Sequence, residues 1–271
     1  MAHWTEELFI DSPELFQWNF EIRSEHVHLE VDFLLEKLKE HGFQAQKILD
    51  MNCGIGRHAI ELSKRGIEVV GTDISPHYID VAAKKAEEAG ISDKATFLVA
   101  DMRKIVASLS SAKPFDGVIC MWTSFGFYDD ATNEDILRQC LGLVKPGGFF
   151  LMDIINRDWL ITGFSERGYQ QMGDRMVLEE RKLDPLTSKM INIWTFLRKQ
   201  NEGNYRVEKT VNLDHRVWSM HELVSLFEKV GFKYEAVYTS FGPGFSPQQQ
   251  IPLGFRETVR SRMLLYICRK P

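Results

Sequence analysis

Two patterns of apolar residues alternate along the chain between residues 47 and 155. Short, nearly continuous apolar runs are typical of buried strands, and the segments between them have helical spacing and end at glycines. The predicted strands are residues 47–51, 67–72, 95–100, 117–121 and 149–155. Apolar strands that alternate with helices indicate a parallel sheet covered by helices on both faces.

The pattern changes around Met176. Three segments alternate polar and apolar positions and are separated by turn residues such as Asp184 and Pro185, so we expect an antiparallel three-stranded insertion. These segments are residues 176–183, 190–198 and 205–213. Helical spacing returns at 219–230. Residues 232–241 and 262–268 are predicted to form a final antiparallel pair, because the connection between them is short for a crossover helix.

Two helices are predicted before the first strand, one starting at Ser12 and Pro13 and one over residues 25–41. The chain is therefore predicted to have an α/β fold: a doubly wound, mostly parallel seven-stranded sheet with an antiparallel final strand, plus a small antiparallel β insertion. The predicted units are an N-terminal helical segment (1–42), a main domain (43–165 and 216–271) and the insertion (166–215).

Composition narrows the possible partners and location. The chain has 271 residues, 44% hydrophobic and 26% charged, as in ordinary globular proteins. A net charge of -5 argues against a nucleic-acid partner, and no apolar run is long enough for a membrane helix. The N-terminus does not resemble a secretory signal, and the four cysteines lack zinc-site spacing. We expect a cytoplasmic protein with reduced thiols, no bound metal and a small-molecule partner.

Acidic residues stand at the ends of the first three predicted strands. Ligands of open parallel sheets bind beyond these strand ends, where the strand order reverses. Asp73 can accept hydrogen bonds from both hydroxyls of a ribose, while Asp101 and Met102 can contact the edge and face of an adenine. Asp50, four residues before Gly54, would repel a pyrophosphate and attract an ammonium group. These residues predict a cleft for an adenosine-containing ligand.

A competing interpretation comes from the glycines. Gly54, Gly56 and Ala59 also fit the loose dinucleotide-binding pattern, which is weak evidence by itself. An NAD(P)-dependent oxidoreductase therefore remains an alternative. The carboxylates of Asp50 and Asp101 favour a ligand other than a dinucleotide.

Several segments together resemble the class I S-adenosylmethionine-dependent methyltransferases, the seven-stranded, Rossmann-like family. The matching segments are residues 48–57, 69–75, 99–102, 115–119 and 143–148. The resemblance implies S-adenosyl-L-methionine as cofactor and in-line methyl transfer to an oxygen or nitrogen of a small molecule. Asn52 stands where the family usually has glycine, and asparagine tolerates a left-handed backbone, so we expect the turn to form. This departure leaves a non-catalytic cofactor-binding protein as a second alternative.

The resemblance also assigns roles to individual residues. The cofactor contacts that it implies are Asp50, Asn52, Cys53, Gly54, Gly56, Asp73, Ile74, Asp101, Met102, Met121 and Trp122. It implies that the N-terminal segment closes over the cofactor as a lid, with Trp18 and Arg23 as candidate contacts.

The acceptor side is less clear from the sequence. Candidate pocket residues are Phe125, Tyr128, Asn156 and His215. Core packing is an equally open role for the aromatic rings. A helix cap at Asn156 is favoured over substrate contact, and a structural hydrogen bond at His215 is favoured over a role as a base. No catalytic residue is predicted, because a sulfonium leaving group is already activated and a base is needed only if the acceptor must lose a proton early.

Overall fold

The computed structural model describes residues 2–109, 114–239 and 261–271. Its helices are α1 (Trp4–Phe9), α2 (Glu14–Arg23), α3 (Val27–Glu40), α4 (Arg57–Lys64), α5 (Pro76–Glu88), α6 (Ile105–Ser108), α7 (Asp130–Leu143), α8 (Arg157–Thr162) and α9 (Met220–Val230). Its strands are β1 (Lys47–Met51), β2 (Glu68–Asp73), β3 (Ala95–Val99), β4 (Phe115–Cys120), β5 (Val144–Ile155), β6 (Arg167–Met172), β7 (Arg175–Asp184), β8 (Lys189–Lys199), β9 (Tyr205–Arg216), β10 (Lys233–Thr239) and β11 (Met263–Arg269).

Within the described ranges, seven strands form the main sheet in the order β10-β11-β5-β4-β1-β2-β3. Strands β1 to β5 pair in parallel, and β11 runs antiparallel to both β5 and β10. The predicted doubly wound sheet with an antiparallel final strand is confirmed. Because β1 lies beside both β2 and β4, the strand order reverses there, and a binding crevice is expected at the carboxyl ends of these strands.

The apolar strands are explained by burial on both faces. Leu49 of β1 packs into one core cluster with Val118 and Phe150, while its neighbour Ile48 packs into a second cluster on the opposite face. Helices α7 and α9 contribute to the first cluster, and α3 and α4 to the second. Consecutive strand residues thus serve two cores, so the polar–apolar alternation of a half-exposed strand is absent.

The insertion is larger than the sequence predicts. In the described part of the chain it forms a second sheet of four antiparallel strands in the order β6-β7-β8-β9, so the prediction of three strands is wrong. The missed strand, β6, is an edge strand whose residues are mostly polar and exposed. It therefore lacks the alternation by which half-buried strands are recognised.

Helices α1 and α2 pack against one face of this second sheet. Trp4 and Leu8 of α1 and Trp18 of α2 form an apolar cluster with residues of β7, β8 and β9, including Val211. Helix α1 was not predicted, because six residues are too short for a helical period to show. Helix α2 begins directly after Pro13, as expected.

Two further observations bear on earlier expectations. None of the helices in the described residues has both the length and the apolar character of a membrane span. The predicted connection between the final strands, residues 242–258, lies outside the described residues, as do the last two residues of the strand predicted over 232–241.

Candidate active site

A cavity of about 1090 Å³ lies at the carboxyl ends of the first four strands. Its wall includes Asn52 after β1, Asp73 at the end of β2, Asp101 after β3 and Trp122 after β4. Residues of α1, α2 and the second sheet, among them Trp194, form the opposite wall. The cavity is at the upper end of the range for small-molecule sites, about 300–1,000 Å³, which leaves room for more than one ligand.

The turn between β1 and α4 has three left-handed residues. Asn52 has φ 60°, Gly54 55° and Gly56 76°, so the expectation that asparagine supports this turn is confirmed. The Asn52 amide also donates to the carbonyl of Ser124 at 2.9 Å, joining the turn to the loop after β4. A Cβ on Gly56 would lie 2.9 Å from Ala82, so glycine is needed there for close packing as well.

The Asp73 carboxylate is hydrogen-bonded to the same turn. One oxygen accepts a hydrogen bond from the Gly54 amide at 3.0 Å and the other from the Ser75 amide at 2.9 Å. Burial raises the pKa of Asp73 to about 6, against the opposing effect of these amides. Asp73 and the adjacent Ile74 both line the cavity. The Asp73 carboxylate can accept hydrogen bonds from hydroxyl groups, and the Ile74 side chain beside it is apolar.

Asp101 and Met102 line the next part of the wall. The Asp101 carboxylate accepts hydrogen bonds from the backbone and side chain of Arg103. Burial would raise the pKa of Asp101, but these Arg103 hydrogen bonds hold it below its usual value. Arg103 also pairs with Glu6 of α1 at 3.1 Å, so the end of β3 is tied to the N-terminal helices. This connection was not predicted.

Comparison with known proteins agrees with this geometry. Residues 48–148 match a family model described as a methyltransferase domain. Residues 48–148 therefore form a methyltransferase domain. The methyltransferase domain thus includes the first five strands and the glycine turn, which are the elements that carry the strand-end residues of the cavity.

The similar proteins differ in the acceptors that their names give. The chain is 29% identical to a glycine/sarcosine N-methyltransferase of Aphanothece halophytica over 63% of its own length and 62% of that protein. It is 31% identical to a ubiquinone biosynthesis O-methyltransferase of Colwellia psychrerythraea over 49% of its length and 50% of that protein. The chain thus spans about half to three fifths of these curated relatives. The CcbJ methyltransferase of Streptomyces caelestis has the same fold, with a TM-score of 0.72, 18% identity, and coverage of 90% of this chain and 89% of that one.

Five predicted cofactor contacts of the methyltransferase domain lie behind the cavity wall rather than on it. They are Asp50, Cys53, Gly54, Gly56 and Met121. Asp50 is almost fully buried, and its Oδ2 atom has no hydrogen-bond partner among the described residues. Burial raises the pKa of Asp50 to about 7, partly offset by the charge of Arg57 and a hydrogen bond from the Ala59 amide. Asp50 does not line the cavity in this structure, and its contact with the cofactor stays a prediction. Through the Ala59 amide it joins the end of β1 to α4.

The two predicted lid residues both line the cavity. The Arg23 guanidinium lies 4.2 Å from the ring centroid of Trp122, a cation–π contact. Burial and the nearby charge of Arg57 lower the pKa of Arg23 to about 10. Trp18 donates from its indole nitrogen to the Leu15 carbonyl within α2. Helix α2 therefore places a cation and an aromatic ring over the strand-end loops of the methyltransferase domain.

The predicted acceptor residues divide into two pairs. Tyr128 and His215 line the cavity, whereas Phe125 and Asn156 do not. Phe125 is fully buried in the first core cluster, where its ring contacts Trp218. Asn156 caps α8 by accepting a hydrogen bond from the Asp158 amide. For both residues the structural alternative is therefore the correct interpretation.

His215 is half-buried on the cavity wall. Burial lowers its pKa to about 4, although the charge of Asp214 opposes this. A neutral imidazole with so low a pKa is a poor general base at neutral pH.

Proposed function

We propose that this chain is an S-adenosylmethionine-dependent methyltransferase that transfers a methyl group to an oxygen or nitrogen atom of a small molecule. One observation carries the proposal: the Asn52 turn, Asp73 and Asp101 follow three neighbouring strands and line one cavity at the point where the strand order reverses. The curated relatives are named as methyltransferases, with both N- and O-methyl acceptors among them, which supports it.

The residues of the cavity fit this cofactor. Asp73 presents carboxylate oxygens for the ribose hydroxyls, and Ile74 and Met102 present apolar surface for the adenine. Asn52 brings the turn after β1 to the cavity wall, while the aromatic ring of Trp122 favours a positively charged sulfur. The cofactor supplies a methyl group on an already activated sulfonium.

The protein itself then has to align the cofactor with the acceptor and to exclude water from the cavity. We propose that the N-terminal segment, 1–42, closes the cavity as a lid through Trp18 and Arg23, and that the insertion, 166–215, shapes the acceptor site. The main domain, 43–165 and 216–271, would hold the cofactor. Because His215 is a poor base, the proposal includes no proton abstraction by it before methyl transfer.

Calorimetric titration with S-adenosylhomocysteine tests the proposal. We expect binding of S-adenosylhomocysteine and none of NADH, whereas the opposite result would favour an oxidoreductase.

Asp73→Ala should weaken binding of S-adenosylhomocysteine by about 1.5–3 kcal/mol, the range for hydrogen bonds to a charged group. Asp80→Ala is the matched control, since Asp80 lies on the exposed side of α5, and it should bind as the unmodified protein does. Unchanged affinity in Asp73→Ala would contradict the ribose assignment.

Turnover separates an enzyme from a non-catalytic binding protein. If the protein binds S-adenosylhomocysteine, it should also transfer the labelled methyl group of S-adenosylmethionine. The acceptor should be a member of a broad panel of small amines and hydroxyl compounds. Cofactor binding without transfer to any of them would favour the non-catalytic alternative.

The proposal extends to location and partners. The four cysteines are buried and unpaired, which fits a reducing compartment, and we propose the cytoplasm. The net charge of -5 supports a small-molecule acceptor over a nucleic acid.

A further inference from the structure

The second sheet places four polar or aromatic side chains together on the cavity wall. The strand register sets Arg181 of β7 opposite Asn192 of β8, and Glu179 opposite Trp194. Directly opposed residues of antiparallel strands share one face, with Cβ atoms about 4.5–5.5 Å apart. All four residues line the cavity, and none of them belongs to the proposed cofactor contacts.

Positive charge exceeds negative charge in this region. Glu179 is 4% exposed and is already paired, by an ion pair with Arg181 and a hydrogen bond from Gln170 at 2.8 Å. Arg262 also lines the cavity and lies over the Trp159 ring, and among the described residues no carboxylate pairs with it. Burial and the charge of Arg262 both lower the pKa of Arg181, so these two guanidinium groups are within electrostatic range of one another.

The amide of Asn192 lacks a partner. The residue is 2% exposed, and its Nδ2 atom has no hydrogen bond within the described part of the chain. Most buried polar groups in proteins are hydrogen-bonded, so a buried amide without a partner on a cavity wall indicates a group that a ligand satisfies.

We propose that the methyl acceptor is a small carboxylic acid whose carboxylate binds between Arg181, Arg262 and Asn192. Guanidinium groups bind carboxylates with paired, charge-assisted hydrogen bonds, and the Asn192 amide supplies a further donor. The apolar part of the acceptor then lies against Trp194, and its nucleophilic atom points towards Trp122 and the proposed cofactor site. This inference rests on the proposed function, since it names the substrate class of the same cavity.

Matched acids and amides test the charge requirement. Protein saturated with S-adenosylhomocysteine is titrated with phenylacetate and 4-hydroxybenzoate, each compared with its primary amide, which has nearly the same shape without the charge. At least one acid should bind about tenfold or more tightly than its amide, as expected for charge-assisted hydrogen bonds.

Variants then locate the binding residues. Arg262→Gln removes a cation that has no described carboxylate partner, and the double variant Glu179→Gln, Arg181→Gln removes the ion pair without leaving a buried charge. Both should lose the preference for the acid. Arg175→Gln is the matched control, because Arg175 lies on the same strand but outside the cavity wall, and it should keep the preference. Thermal unfolding and S-adenosylhomocysteine binding verify that each variant is folded.

The two proposals fail separately. If S-adenosylhomocysteine binds but neither acid is preferred over its amide, or the preference survives in Arg262→Gln and in the double variant, the carboxylate site is wrong and the proposed function stands. If S-adenosylhomocysteine does not bind to the unmodified protein, the proposed function is wrong, and the acceptor assignment falls with it.

Discussion

Two residues in the loop after β4 have a backbone conformation that their side chains disfavour. Trp122 and Thr123 have φ 60° and 58°, in the left-handed region where bulky and β-branched residues are rare. The Thr123 amide donates to the Asp153 carbonyl at 2.9 Å, and its hydroxyl accepts from the Ile155 amide at 3.1 Å. Hydrogen bonds to β5 thus hold the loop after β4 in a strained shape. Strain of this kind concentrates at functional sites.

Substitution of Asn52 tests the turn at the end of β1. Asn52→Gly should keep the left-handed turn, whereas Asn52→Ala should be less stable than Asn52→Gly by about 1 kcal/mol, because a Cβ without a local hydrogen bond is disfavoured there. Both variants lose the amide bond to Ser124, so their difference isolates the backbone effect. Chemical denaturation measures it. Equal free energies of unfolding would show that the turn does not require the left-handed conformation.

Asp73 predicts a pH dependence of cofactor binding. Its pKa of about 6 means that the carboxylate is partly protonated below that pH, and a protonated carboxyl is a weaker acceptor for two ribose hydroxyls. Affinity for S-adenosylhomocysteine should therefore fall as the pH drops below about 6, by at most about tenfold per pH unit, and level off above it. Titration calorimetry at several pH values measures this. Asp73→Asn, which cannot ionise, should bind weakly without that slope, and an identical slope in the variant would point to another group.

Among the elements, α3 and α4 are joined by a buried ion pair. Arg57 and His58 at the start of α4 both donate to Glu30 of α3, at 2.9 and 2.7 Å. The Arg57 and His58 side chains are almost completely buried, and Glu30 is mostly so. This connection holds the helix that follows the glycine turn. Its residues are separated by 27 and 28 positions in the chain, so no local pattern reveals it.

Removal of Glu30 should therefore destabilise the protein strongly. Glu30→Ala leaves the Arg57 charge buried without its carboxylate, and we expect a loss of about 3 kcal/mol in the free energy of unfolding. Asp32→Ala is the control on the same helix, because the Asp32 carboxylate pairs with Arg65 at an exposed position, where about 0.2–1 kcal/mol is typical. Denaturant titration compares the two. Similar losses in the free energy of unfolding of both variants would show that the buried Glu30 pair stabilises the protein no more than the exposed Asp32 pair.

At the scale of the whole molecule, aromatic side chains connect the N-terminal helices to both sheets. The Phe16 ring of α2 stacks on Trp194 of the second sheet at 5.6 Å, and Phe20 contacts Trp122 after β4 at the same distance. The cavity is thus bounded by three parts of the chain that are distant in sequence.

The proposed lid predicts a protection pattern on binding. Hydrogen–deuterium exchange of the α1 and α2 amides should slow when S-adenosylhomocysteine is added, because ligand contacts with this segment reduce its local opening. Helix α9 is the internal control, since its buried residues pack in the core and not on the cavity, and its exchange should not change. Protection at the strand-end loops without protection of α2 would contradict the lid.

Much of this protein was predictable because its cause is local. The buried strands β1, β2, β4 and β5, the glycine turn and the strand-end acids follow from the order of residue types, since a strand buried on both faces must be apolar and a left-handed turn requires glycine or asparagine. Helix α1 and strand β6 were missed, because one is too short and the other too exposed to show a period.

The sequence by itself determined the doubly wound sheet and which acids stand at its strand ends. The tertiary structure alone decided which side chains reach the cavity: Asp73 and Asp101 do, whereas Asp50 and Phe125 do not. It also decided that Arg181, Asn192 and Arg262 meet on one wall. The physical reason is that backbone preferences act between neighbours in the chain, whereas a cavity wall is formed by packing between distant segments.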